Sequence, residues 1–378
     1  MTLTPRSPLS APDPAADLVR KHARVLRDSG RLHVKHGNFE AAEECLTHTL
    51  EMVRSLDDAR EVAETAELLA EVLSARDNPR GALDLLREAQ RAREQAGDRG
   101  QLALTCLRIA RVHVRRRQPD LALEYLEQAL DRVEPEDRHT RALVLIQLAA
   151  VLRDQGGYRD ALGHAEEARG LLEAAGEGER GPEREALGEC LNVMGSVLGL
   201  LERHAEAVEA LERSLAARRA TGDRKGEAQS LNSLGIVLMQ MRENPRARGF
   251  FEQALEICTE IGDARWRSVT LNNLGVVCKH LGDLEAAADH YRASHDLAEA
   301  LGDRHAKGLA LTNLAFVSYL RGDFSAAERK ALEALRISRK LDERLGEVHV
   351  LERLCLVALA TGRTETARGR ATELAQLA

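Results

Sequence analysis

Apolar residues recur along this chain at helical spacing, and one small residue returns to the same place in nine successive stretches. Ala42, Ala82, Ala122, Ala161, Ala207, Ala247, Ala287, Ala327 and Ala367 follow one another at intervals of 40, 40, 39, 46, 40, 40, 40 and 40. Twelve residues ahead of the alanine lies another small residue, most clearly in Met194-Gly195, Leu234-Gly235, Leu274-Gly275 and Leu314-Ala315. Four and seven residues after it come Phe251 and Ala254, Tyr291 and Ser294, Ala331 and Ala334. Positions i, i+3, i+4 and i+7 share one face of a helix, so each copy predicts two amphipathic helices whose small residues let the backbones approach. Gly282-Asp283 and Gly322-Asp323 punctuate the copies internally, whereas Gly222-Asp223, Gly262-Asp263 and Gly302-Asp303 separate them. Glycine supplies the left-handed cap and aspartate opens the next helix. No alternating β-branched run is long enough for a strand, so the chain reads as all-α. Nine copies of one hairpin cannot close a single core, and each must bury its apolar face on its neighbours as an α-solenoid.

These small and aromatic positions resemble the tetratricopeptide repeat over about residues 16–378. The resemblance implies a right-handed α-solenoid of about nine helix-turn-helix repeats. The period of 40 exceeds the usual ~34 of that family, which calls for an extra helical turn or a longer loop. The segment Leu271 to Ala287 is similar to the long repeats of kinesin light chain and Pins-type adaptors, and to arrays of bacterial peptide-sensing regulators. Copies five to nine fit well. Copies one to three depart at Ser29, His33 and His113, where the family usually carries apolar residues.

The net charge is −7, with 54 basic and 61 acidic residues. A mixed, slightly acidic surface argues against a general nucleic-acid footprint. Six dispersed cysteines without a C-x-x-C pair favour buried reduced thiols over disulfides or zinc, as in a cytosolic protein. Pro5, Pro8, Pro12 and Pro14 with little apolar content predict a disordered arm over residues 1–15, the array filling 16–378. No apolar stretch reads as a secretory signal or a membrane span. The one break in the period falls in Glu173–Glu183, with Gly176, Gly178, Gly181 and Pro182, and reads either as a tolerated loop insertion or as a hinge.

Catalytic and cofactor motifs are missing: no phosphate-binding loop, dinucleotide fingerprint, H-E-x-x-H or nucleophile elbow is present. No enzyme activity, cofactor or metal is expected. The informative positions lie on the first helix of each copy. Asn192, Asn232 and Asn272 recur once per repeat, and Thr312, beside Asn313, takes the next place. The resemblance implies that this face lines a concave groove, where amides pair with the backbone of an extended peptide. The spacing alone shows only that they share a face, and pairing with the neighbouring helix is the alternative. Met239, Gln240, Lys279, Phe316 and Tyr319 complete the candidate groove and lead it to an apolar, partly aromatic end. Towards the other end, Arg27, Arg31, Lys35, Arg111 and Arg115 suit an acidic partner segment or are ordinary exposed charge.

The expected function is a non-enzymatic scaffold that binds a peptide or an extended segment of a partner protein. The alternative is a peptide-sensing or regulatory module that docks on a separate enzyme or transcription regulator. The last helix, about 364–377, leaves Ala371, Leu374 and Leu377 without a covering helix. Homodimerisation through that end would cover them, and fraying is the other outcome.

Overall fold

The computed structural model describes residues 14–56, 58–174 and 181–377. Eighteen α-helices and no strand occur among them, and the chain divides into two compact units, residues 1–175 and 176–378. Unit 1 holds α1 (Pro14–Lys35), α2 (Phe39–Ser55), α3 (Ala59–Ala75), α4 (Pro79–Ala96), α5 (Arg99–Arg115), α6 (Pro119–Arg132), α7 (Arg138–Asp154) and α8 (Tyr158–Glu173). Unit 2 holds α9 (Gly181–Leu200), α10 (His204–Thr221), α11 (Arg224–Gln240), α12 (Asn244–Glu260), α13 (Ala264–His280), α14 (Leu284–Ala300), α15 (Arg304–Leu320), α16 (Phe324–Leu341), α17 (Arg344–Ala360) and α18 (Thr364–Leu377). Residues 1–13 of the expected arm lie outside the described residues. Pro14 and Ala15 already belong to α1. Residues 175–180 of the Glu173–Glu183 segment also lie outside them.

Within each unit the helices pair as hairpins and the hairpins stack. The alanine row marks the tightest packing: eight of its nine members are 0 % exposed and Ala367 is 5 % exposed. Opposite each sits the small residue of the first helix. A Cβ on Gly235 would stand 2.6 Å from the Phe251 ring, and one on Gly195 2.6 Å from Leu211 Cγ. Phe251 also reaches Leu274 and Val277 of the next hairpin, so one ring ties two repeats together. From α11 to α15 each helix spans 17 residues and is joined by a three-residue turn. The long period therefore resides in the helices, not in the loops. Gly282 at φ 85° closes α13, and the Asp283 carboxylate caps α14 by accepting from Ala286 N at 3.0 Å.

The departures in the early copies are accommodated individually. His113 is 2 % exposed, stacks on Tyr125 at 5.5 Å and shares a hydrogen bond with Gln118 at 2.9 Å. Ser29 and His33 are half-buried. At the far end, Leu374 and Leu377 lean on the cluster around Leu351 and Leu354, whereas Ala371 is exposed.

Candidate functional site

First helices of unit 2 touch the first helices of the next hairpin: α9 meets α11, α11 meets α13, α13 meets α15, and α15 meets α17. They form the inner layer, and the candidate residues lie along it. The amides there bind one another. Asn273 Nδ2 donates to Asn232 Oδ1 at 3.0 Å, and Asn313 Nδ2 donates to Asn272 Oδ1 at 2.8 Å. Asn232 and Asn272 are only 4 % and 8 % exposed. The row is thus a zigzag of two columns, one residue out of step, rather than the single column of Asn192, Asn232 and Asn272. Thr312 turns its hydroxyl back to Gly308 O at 2.8 Å and leaves the row to Asn313. Asn192 Oδ1 is buried and has no partner among the described residues, since Ser233 stands where its donor would be.

Two apolar rows flank the amides. Ile236, Val276, Phe316 and Leu356 form one, and Val269 and Leu309 form the other, with Leu309 45 % exposed. Val276 and Leu309 of these rows line a cavity of about 270 Å³ between α13, α15 and α17 that also reaches Asn272, His305, Asn313, Glu343, His349 and Arg353. Met239 packs into the core cluster of Leu238 and Phe251, and Gln240 is exposed.

The aromatic end is more elaborate than the sequence suggests. Phe316 stacks with Tyr319 at 6.1 Å, and Tyr319 meets Phe324 at 5.8 Å. Arg353 Cζ lies over the Phe316 ring at 4.0 Å, and Lys279 Nζ lies 5.2 Å from the same centroid. Burial, and then the charge of Arg353, hold the Lys279 amine below its ordinary value. Arg353 was not among the expected groove residues. It lies one repeat past Asn313 in the second column, and following that column would have found it.

Unit 1 presents a different inner surface. Arg27 is 8 % exposed and pairs with Glu61 and with Glu64, the latter at 3.1 Å. Arg31 lies 3.7 Å from Asp28 and 3.8 Å from Glu64. Arg111 donates to Gln147 and Arg115 to Ser74 O, both at 3.3 Å, and Lys35 is exposed. The adjoining cavity of about 480 Å³ sets Arg31, Arg60, Arg93 and Arg108 against Glu64, Glu67, Glu71 and Asp98. Arg27 and Arg31 thus sit in a charge-balanced ion network, not on a free cationic strip.

No group of three or more His, Cys, Asp or Glu side chains able to hold a metal occurs among the described residues. No helix among them is long and apolar enough to cross a membrane.

Family models described as tetratricopeptide repeat match residues 21–95, 101–174 and 226–300, and a second model of that description matches 187–221 and 309–341. Together they span well over half of the sequence, and the chain belongs to the tetratricopeptide-repeat family. A search of curated proteins returns no match. Among solved structures the chain is similar to a signal-transduction ATPase with numerous domains that carries a tetratricopeptide repeat sensor, from Pyrococcus horikoshii. That match has 17 % identity and a TM-score of 0.65, covering 97 % of this chain and 53 % of the other. The chain thus spans about half the length of that ATPase. It is also similar to a Rap protein complexed with Competence and Sporulation Factor, at 15 % identity and a TM-score of 0.65, covering 94 % of this chain and 98 % of that one. The apo form of RapI matches at 15 % identity and a TM-score of 0.60, covering 96 % and 97 %. At such identities the likeness is one of fold.

Proposed function

We propose that this chain is a non-enzymatic scaffold whose unit 2 binds an extended segment of a partner protein along the inner face of α11, α13, α15 and α17. One observation carries the reading: a polar amide row lies between two partly exposed apolar rows, over a cavity of about 270 Å³. Each Asn–Asn pair uses one donor and one acceptor, and its other amide atoms have no partner among the described residues. A peptide backbone needs such alternating donors and acceptors, while the flanking rows take its side chains. The fold is shared with a Rap protein seen in complex with Competence and Sporulation Factor, which agrees with a segment-binding role here.

The test is site-specific photo-crosslinking in the full chain. A photoreactive side chain at Leu309, on the inner face, is compared with one at exposed Arg248 of α12. Crosslinks to one defined partner segment from position 309 and none from position 248 are expected. Equal labelling from both positions, or none from 309, overturns the inner-face reading.

A further inference from the structure

The five large apolar side chains most exposed among the described residues are Leu345, Leu18, Val25, Leu359 and Leu32, and three of them lie on α1. Leu18, Val25 and Leu32 are 69 %, 68 % and 57 % exposed and stand seven residues apart. Seven residues are two helical turns, so the three form one stripe along α1. The opposite face is spent within unit 1: Ala23 and Arg27 are buried, and a Cβ on Gly30 would stand 2.8 Å from Leu46 Cγ of α2. Later repeats show what such a stripe is suited to. Val25 and Leu32 are matched by Thr65 and Val72 of α3, Thr105 and Val112 of α5, and Val144 and Val151 of α7. None of these six is more than 5 % exposed, because the preceding hairpin covers them. No hairpin precedes α1 among the described residues. Leu345 and Leu359 of α17 also share a face, but Glu352 stands midway between them and breaks the row.

We infer that this stripe is an interface for a second copy of the chain, whose α1 lies antiparallel to the first across a two-fold axis at Val25. Charge complementarity selects that occupant. With Val25 set on Val25 of the second copy, Leu18 falls on its Leu32 and Leu32 on its Leu18. Lys21, Asp28 and Lys35 run beside the stripe, each three residues past one of its members. In the antiparallel register Lys21 comes within one residue of Asp28 of the second copy, and Asp28 of its Lys21, so two opposite-charge pairs flank the seam. A parallel register would set Lys21 beside Leu26 and form no lysine–aspartate pair. The present partners hold these charges loosely: Lys21 pairs with Asp17 at 2.9 Å and Asp28 with Arg31 at 3.7 Å, both in exposed positions. His22, Ser29 and His36, each four residues past a stripe member, complete the seam with polar groups, which fix register at a cost in strength. The dimer is therefore concentration-dependent. It differs from self-association through α18, where Leu374 and Leu377 are half-buried against the cluster of Leu351 and Leu354. It lies on unit 1 and stands independently of the segment-binding face of unit 2.

The test is sedimentation velocity of the full chain under reducing conditions, over roughly 1–200 μM, where a seam smaller than the standard ~1,600 Å² associates. A monomer–dimer equilibrium is expected. Val25→Glu sets two like charges face to face on the axis and is expected to weaken association more than about tenfold. The exposure of Val25 leaves the monomer fold intact in this variant, which circular dichroism checks. Lys21→Glu opposes Asp28 of the second copy and is expected to weaken association about fivefold. Combining Lys21→Glu with Asp28→Lys only exchanges the pair and is expected to restore the wild-type equilibrium. A monomer at every concentration overturns the inference and leaves the stripe to another occupant. A dimer unmoved by Val25→Glu forms through another surface, such as α18, and overturns it too. A dimer broken by Val25→Glu but indifferent to Lys21→Glu, or not restored by the exchange, overturns the antiparallel register and the inference with it.

Discussion

Gly275 faces the ring of Tyr291 across one hairpin, so closely that a Cβ on it would stand 2.5 Å from Cε1. Tyr291 is 0 % exposed and has no room to withdraw. Alanine at 275 would gain up to ~1 kcal/mol of helix propensity. Overpacking costs about 1–3 kcal/mol, so the net effect of Gly275→Ala is expected to be destabilising by roughly 1–2 kcal/mol. Gly249, on α12 with nothing within 4 Å of its would-be Cβ, is the control, and Gly249→Ala is expected to stabilise. Urea unfolding of both variants checks the pair. A stabilised Gly275→Ala would show that the hairpin opens more easily than its packing implies.

The same tyrosine carries a second expectation. Its Oη is buried and has no hydrogen-bond partner among the described residues, and Phe251 fills the equivalent place in the preceding repeat. Tyr291→Phe removes an unsatisfied hydroxyl and is expected to be neutral or to stabilise by about 1 kcal/mol. Burial raises the phenol above its ordinary value. An acid whose folded value is raised contributes stability below its unfolded value of about 10 and loses it as pH climbs beyond that. The stability of the Phe variant relative to wild type should therefore grow above pH ~10. Denaturation series at neutral and alkaline pH decide this. A clear loss of stability in the variant would reveal a partner for the hydroxyl, such as a buried water.

In unit 1, Glu67 is 6 % exposed, accepts from Thr105 Oγ1 at 2.5 Å and from Arg93 at 3.4 Å, and forms an ion pair with Arg108 at 3.0 Å. Arg93 is itself 3 % exposed and retains only Asp98, at 3.1 Å, once Glu67 is gone. Removing one member of a buried ion pair typically costs about 3–5 kcal/mol, because the other charge stays behind. Glu67→Ala is therefore expected to destabilise unit 1 strongly, with faster amide exchange in α3 to α5. A change below ~1 kcal/mol would show the network to be solvated.

The repeat was legible because its determinants are local. A small residue, its partner twelve positions on and a Gly-Asp cap recur within one hairpin, and the family match and the buried alanines bear the register out. Relations between hairpins were less visible. Asn232 and Asn272 share a face one repeat apart, but their donors sit 41 residues on, and that one-residue stagger depends on how neighbouring helices slide past each other. For the same reason Arg353 is not legible from the column of Asn192, Asn232 and Asn272, because it lies in the adjacent one. Arg27 looked like a free cation because its acids, Glu61 and Glu64, lie on another hairpin. Opposite charges somewhat less than one repeat apart recur as cross-hairpin pairs in Arg76–Glu43, Arg54–Glu88 and Arg363–Glu328, and offered a signal that the repeat spacing conceals.

The stagger leads to one more expectation. Asn192 Oδ1 is the buried acceptor of this row that lacks its donor, and Ser233 lies 41 residues on, where Asn273 and Asn313 donate to the two later copies. Serine is too short to repeat that bond. Ser233→Asn places an amide at the equivalent point and is expected to stabilise unit 2 by about 0.5–1.5 kcal/mol, the net worth of one hydrogen bond to a previously unsatisfied group. The gain should vanish in an Asn192→Ala background, because the new donor then has no acceptor. A double-mutant cycle measures that dependence directly. The natural pair provides the opposite case: Asn273→Ala strands the oxygen of Asn232 and should cost about 1–3 kcal/mol, and less once Asn232 is also alanine. If Ser233→Asn stabilises equally with and without Asn192, the amide acts through helix propensity or a different contact, and the row is not extended by sequence in the way its stagger requires.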